Sequence, residues 1–248
     1  MTTSTETDSV YRGAASPLVR TSLVFVAIAV VGMFFADLEI IGADPWAEFG
    51  RMALGAVIPD FTATDRLFEA VAQTLAFALL GVAIANVCGF GLALAFHFRV
   101  VRVGCAFVRA IHELFWALIF LQIFGLSPLT GLLAIAIPYS GIIAKVYSEI
   151  LEEADPAPAR AAPFDSGAIS VFLFARLPDA WVHFKNYSMY RLECGMRSSA
   201  VLGFVGLPTL GYHLDSAFRI GNYSEVSALL ILFYIVIATI RQRLSVST

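Results

Sequence analysis

Lysine is the scarcest functional resource in this chain: 248 residues contain two, Lys145 after Ala144 and Lys185 after Phe184. A phosphate-cradling G-x-x-x-x-G-K-[ST] loop therefore cannot form, and the chain cannot hold ATP by that device. Charge of either sign is also thin, 14% of residues against about 25% in soluble domains. The net charge is −3 and no basic block is present, so nothing resembles the footprint of a nucleic-acid binder. Cys88, Cys105 and Cys194 are odd in number and widely spaced, which argues against a disulfide framework or a zinc site. They read as buried packing residues. The histidines His97, His112, His183 and His213 show no H-x-x-x-H spacing, and no G-x-S-x-G elbow occurs. The sequence thus offers no catalytic residue, no metal site and no cofactor. It does not read as an enzyme.

What the chain has is apolar length. Hydrophobic residues make up 59% and mean hydropathy is +0.80. Runs of about 20 apolar residues recur, each able to cross a bilayer core as a helix. Six spans are predicted, at residues 18–36, 67–96, 105–124, 128–146, 181–206 and 226–240. The second is long enough to tilt. The fourth contains Pro138, tolerable where neighbouring helices satisfy the freed carbonyl. The fifth is too polar for hydropathy to find. The fold class expected is an all-α, polytopic membrane protein with about six transmembrane helices. Residues 1–17 form a polar tail, and 18–248 form one transmembrane domain. The run at 18–36 is longer than a signal-peptide core and lacks a cleavage pattern, so it reads as a retained first span.

Basic residues orient the chain. With the N-terminus inside, Arg12, Arg20, Arg99, Arg102, Lys145, Arg160, Arg176, Arg241 and Arg243 are cytoplasmic, against Arg51, Arg66 and Arg219 outside. This is the positive-inside asymmetry, and it makes both termini cytoplasmic. Within the outer segment 40–66, the run from Pro45 to Met52 mixes aromatic and charged residues at helical spacing, as an interfacial helix does.

The polar stretch between Glu152 and Gly206 breaks the apolar pattern twice. First comes a cytoplasmic loop, about 148–180, punctuated by Pro156, Pro158 and Pro163, each of which disfavours helix at the residue before it. Asp165-Ser166-Gly167 then offers a helix cap ahead of a short apolar helix over 168–175 that ends at Leu177-Pro178. Such a helix either fills a partner's groove or lies along the inner membrane surface. The second break lies inside the fifth span. Tyr190, Glu193 and Arg197 share one helical face, and Tyr187, Arg191, Cys194 and Ser198 form an adjacent stripe. Each charge at a helix centre costs about 2.5–3.5 kcal/mol, so these groups face other helices or a polar translocation path. The bland alternative is a Glu193–Arg197 ion pair that locks helix packing. Arg109 and Glu113, at i and i+4 in the third span beside His112 and Trp116, read as a structural pair.

The run from Tyr190 through Gly206, Y-R-L-E-C-G-M-R-S-S-A-V-L-G-F-V-G, closely resembles the fifth-span signature of the membrane permeases of phosphonate-type ABC importers. Three further stretches resemble that family: Arg109 to Leu118, Glu149 to Pro156, and Gly221 to Val226. The resemblance implies a type I importer permease of MetI-like fold in the bacterial inner membrane. It also implies a second permease copy as a homodimer, two ATP-binding subunits docked on the cytoplasmic loop, and an extracytoplasmic substrate-binding protein. Tyr187, Tyr190, Arg191, Glu193, Arg197 and Ser198 would line the path of a phosphonate-like oxyanion. Glu153, Asp155, Arg160, Asp165, Ser166, Gly167 and Pro178 would couple it to the ATPase. Another small solute such as phosphite, or a non-transporting scaffold subunit, are the rival expectations. The chain departs from the family pattern in three places. Arg160-Ala161-Ala162 stands where Glu-Ala-Ala is expected, Gly167 is displaced, and His112 replaces a proline.

Overall fold

The computed structural model describes residues 17–35, 44–64, 66–154, 157 and 167–245. Among the described residues every regular element is helical. The chain divides into two units, residues 1–49 and 50–248. In the first, α1 (Pro17–Phe35) is apolar on all sides, with Leu23, Phe25 and Ile28 exposed, as a helix bathed in hydrocarbon would be. The helix expected over the outer segment is α2 (Pro45–Val57), which begins in this unit and ends in the next.

The second unit is organised on α3 (Leu67–Leu94) and α6 (Pro128–Glu153), each long and apolar enough to cross a bilayer. Small residues recur along α3 at Ala78, Gly81, Ala85 and Gly89, all buried. They let α6 approach its backbone, the packing device available where lipid supplies no hydrophobic drive. A Cβ on Gly89 would stand 2.7 Å from the Ile143 side chain, and one on Gly81 3.0 Å from Ile135. Ile135 and Ile143 are in turn fully buried. Pro138 is accommodated without a break, and α6 runs past the predicted end at 146 to Glu153.

The third span departs from expectation. It is not one helix but two, α4 (Arg99–Ala110) and α5 (Glu113–Phe124), bent by 92° at the junction. The backbone there is extended at Ile111 and His112. His112 then caps α5, its Nδ1 accepting from the Leu114 amide at 3.3 Å. The break separates Arg109 from Glu113, so the pair expected at i and i+4 does not exist.

The predicted short helix after the cytoplasmic loop begins as α7 (Ala168–Val171). It does not stop at Leu177-Pro178 but continues through a π turn, Phe172–Arg176, into α8 (Leu177–Val201). Pro178 brings no amide to the helical ladder, and it falls directly after the π turn, where the ladder is already rearranged. A 3-10 turn, Leu202–Val205, and Gly206 at φ 98° close the span. The chain then folds back as α9 (Leu210–Ile220), a helix outside the six predicted spans. Gly203 and Gly211 meet almost backbone to backbone, and a Cβ on Gly211 would collide with the Ala200 carbonyl. Thr74 Oγ1 on α3 accepts the Leu210 amide at 2.9 Å, securing α9 to α3. The last helix, α10 (Tyr223–Ser245), crosses beside it. Its start is tied to residues 55–64. Ser227 Oγ donates to the Gly55 carbonyl at 2.7 Å, and Thr64 Oγ1 donates to Glu225 at 2.7 Å.

Overpacking a close helix contact costs typically about 1–3 kcal/mol. Gly211→Val is therefore expected to lower the melting temperature of the purified protein by several degrees. Gly104→Ala, where nothing lies within 4 Å, leaves it unchanged or slightly raised. Scanning fluorimetry of both variants checks the contact.

Candidate functional site

The polar stripes on α8 arise from helical spacing, but tertiary packing gives them different surroundings. Tyr187, Arg191, Cys194 and Ser198 turn toward the bundle and meet α6 and α5. Tyr190 and Arg197 are exposed, with Glu193 half-buried beside them. No ion pair joins Glu193 to Arg197 among the described residues, which removes the packing-lock alternative. Arg197 instead reaches Cys194 Sγ at 3.8 Å and rims an otherwise apolar groove of about 250 Å³ between α8, α9 and α10.

Arg191 sits among aromatic rings. Its guanidinium carbon lies 5.6 Å from the centroid of Tyr139, 5.1 Å from Tyr187 and 5.5 Å from Tyr190. Its Nε donates to the Tyr187 hydroxyl at 2.8 Å. Cation–π attraction holds a charge in a poorly solvated place without neutralising it, since no carboxylate pairs with Arg191 among the described residues. Tyr139, on α6, is 4% exposed and links this cage to a second group. The Tyr139 hydroxyl is 2.9 Å from Ser198 Oγ, and Ser198 Oγ donates to Glu113 Oε1 at 2.6 Å. Because the serine has one hydrogen to give, the chain of donors runs from Tyr139 to Ser198 to Glu113. Arg191 and Glu113 thus flank the Tyr139–Ser198 pair and remain apart from each other.

One helical turn further toward the start of α8, a neutral cluster continues the polar line. Tyr147 of α6 donates to Asn86 Oδ1 of α3 at 2.6 Å, and Ser188 of α8 donates to the same oxygen at 3.0 Å. The Tyr147 and Tyr187 rings meet edge to face with centroids 6.3 Å apart. A groove of about 440 Å³, lined in part by Asn86, Tyr147, Lys185 and Ser188, opens beside the cluster.

Sequence reasoning missed Glu113, Tyr139, Asn86, Tyr147 and Ser188 as partners of the stripe. A polar side chain in an apolar span was their one visible signal, and it does not say what the residue meets. Of the loop residues, Glu153 ends α6 and lines a crevice of about 170 Å³ with Asp179 and His183. Gly167 precedes α7, and Pro178 lies exposed in the first turn of α8. Asp155, Arg160, Asp165 and Ser166 lie outside the described residues. The apolar turn after Gly167 is open, with Ile169 76% and Phe174 83% exposed.

Leaving a buried partner unsatisfied costs about 1–3 kcal/mol. Ser198→Ala removes both the acceptor of Tyr139 and the donor to Glu113, so the melting temperature should fall. Cys194→Ala, which removes one partly buried sulfur from the core edge and its weak contact to Arg197, should lower it less.

Comparison with known proteins finds relatives of the chain. No protein-family model matches the chain. The phosphite transport system permease protein PtxC of Stutzerimonas stutzeri is 32% identical over 221 residues, covering 84% of this chain and 78% of that protein. The phosphate-import permease protein PhnE of Mycolicibacterium smegmatis is 32% identical over 206 residues, 76% of this chain and 37% of its own length. Two solved transporters share the fold at 18% identity. An inward-facing methionine ABC transporter MetNI aligns with a TM-score of 0.66 over 72% of this chain and 93% of the solved one. An amino acid ABC transporter aligns with 0.64 over 83% and 98%. An all-helical bundle of the MetI type, together with this relatedness, carries the conclusion: the chain belongs to the permease subunits of phosphite- and phosphonate-type ABC transport systems.

Proposed function

We propose that the chain is the subunit through which a small phosphonate-like oxyanion passes from an extracytoplasmic binding protein to the cytoplasm, by alternating access. The observation that supports this most directly is Arg191, caged by three tyrosines with no carboxylate opposite it. An anion crossing hydrocarbon needs cationic and donor groups, but ones that hold it weakly enough to let it leave. A guanidinium flanked by aromatic faces and held by one phenol, with no carboxylate bound to it, meets both demands. Tyr187, Tyr190, Glu193, Arg197 and Ser198 complete the path, with the exposed Tyr190–Arg197 stripe presented to a second copy of the chain in a homodimer. ATP hydrolysis resides in the partner subunits, as in ABC importers generally.

The loop of about 148–180 carries the coupling in this reading. Its residues are Glu153, Asp155, Arg160, Asp165, Ser166, Gly167 and Pro178, with both termini on the same cytoplasmic side. The exposed Ile169 and Phe174 suit a hydrophobic groove on an ATPase partner. Phosphite is the second reading for the passenger, favoured by the likeness to PtxC. The ligand that protects the partner binding protein against heating distinguishes the two.

Uptake by the complex reconstituted in vesicles tests the path. Arg191→Ala and Arg197→Ala are each expected to slow uptake by about tenfold or more, a loss of about 1.4 kcal/mol or more, while the ATPase subunits stay bound. Wild-type uptake by both variants would overturn it. For the loop, Phe174→Glu should reduce the amount of ATPase that co-purifies with the permease. Full retention would remove the docking role from this turn.

A further inference from the structure

Glu113 stands out because it lies outside the path residues proposed above yet bonds directly to one of them, Ser198. Its position is built with care. It opens α5 immediately after the 92° bend, and its side chain keeps 17% of its surface open. One oxygen, Oε1, is satisfied by Ser198 at 2.6 Å. The other, Oε2, faces His112 Nε2 at 3.7 Å, beyond hydrogen-bond reach. His112 is meanwhile oriented by its cap bond, with Nδ1 accepting from Leu114. No arginine or lysine neutralises Glu113 among the described residues. A carboxylate oxygen without a hydrogen-bond partner among the described residues is thus linked, through Ser198 and Tyr139, to a guanidinium that meets no carboxylate.

We propose that Glu113 is a specificity-determining residue, whose free oxygen accepts a hydrogen bond from the P–OH of a singly protonated phosphorus oxyanion while Arg191 takes the anionic oxygens. The chemistry follows from what a carboxylate can do. An ionised carboxylate only accepts, so it attracts an oxyanion that brings a proton and repels one that does not. Phosphonates, phosphite and phosphate keep a proton on part of their population near neutral pH. Sulfate keeps none, and placing it here would set two unshared negative charges against each other. Rejection by an unpaired buried polar group is a strong filter. The inference rests on the oxyanion path proposed above.

The test uses the permease with its ATPase partners in detergent, without the binding protein, whose own selectivity would mask the effect. Methylphosphonate is the probe, its binding read from phosphorus NMR line broadening at neutral pH, with phosphate and sulfate as competitors. Wild type should be displaced by phosphate about tenfold or more better than by sulfate. Glu113→Gln should bring that ratio close to one, and Glu113→Asp should keep a preference for phosphate. Arg191→Ala should lose all three anions. Equal competition by sulfate in wild type, or an unchanged ratio in Glu113→Gln, overturns the role of Glu113 and leaves the path intact. Absence of broadening in wild type removes the path, and this inference with it.

Discussion

The close approach of α3 to α6 is the contact on which the rest of the second unit depends. Alanine and glycine on α3 remove the side-chain bulk that would hold the helices apart, and Ile135 and Ile143 fill the space that remains. Between apolar helices in lipid there is little hydrophobic gain from association, so contact rests on van der Waals packing and hydrogen bonds. That closeness sets Asn86 against Tyr147 and creates the surface on which α8 lies. Without it, the tyrosines of α6 would not reach the stripe on α8.

On that base the protein manages a difficult combination: several ionisable groups within a predominantly apolar bundle. The bulk of the cost is handled by arrangement. Arg191 is stabilised by ring faces and a phenol, and Glu113 by a serine whose own acceptor site is filled by Tyr139. Had the two charges met directly, a buried ion pair would have resulted, well satisfied and of little use to a passing ligand. Keeping them apart leaves each with capacity for a partner from outside.

Much of this architecture is legible in the order of residues alone. Spans two, four and six follow from apolar length, and α3, α6 and α10 occupy those positions. The fifth follows from its motif and not from its hydropathy, and α8 is there. Helical spacing alone sorts Tyr187, Arg191 and Ser198 from Tyr190, Glu193 and Arg197. The expectations that fail are those that assume continuity of the apolar pattern. Residues 105–124 read as one span because Ile111 and His112 do not interrupt it chemically, yet their extended backbone turns the chain by 92°. Likewise α9 lies outside the predicted spans, and Gly203 and Gly211 allow it to fold back against α8. A glycine in sequence marks freedom, and which neighbour uses that freedom is a long-range matter.

By itself the sequence determined the rough position of most apolar helices, the absence of a G-x-x-x-x-G-K-[ST] loop, and which residues share a helical face, while the family followed from the resemblance of its motifs. These are consequences of local chemistry and of the 3.6-residue period, which need no knowledge of neighbours. Only the tertiary structure decided which face turns inward, that Arg191 is caged by tyrosines from two helices, and that Glu113 belongs with Ser198 and not with Arg109. Residues 113 and 198 are 85 positions apart, and their meeting depends on a bend and a packing contact that leave no periodic trace in the chain.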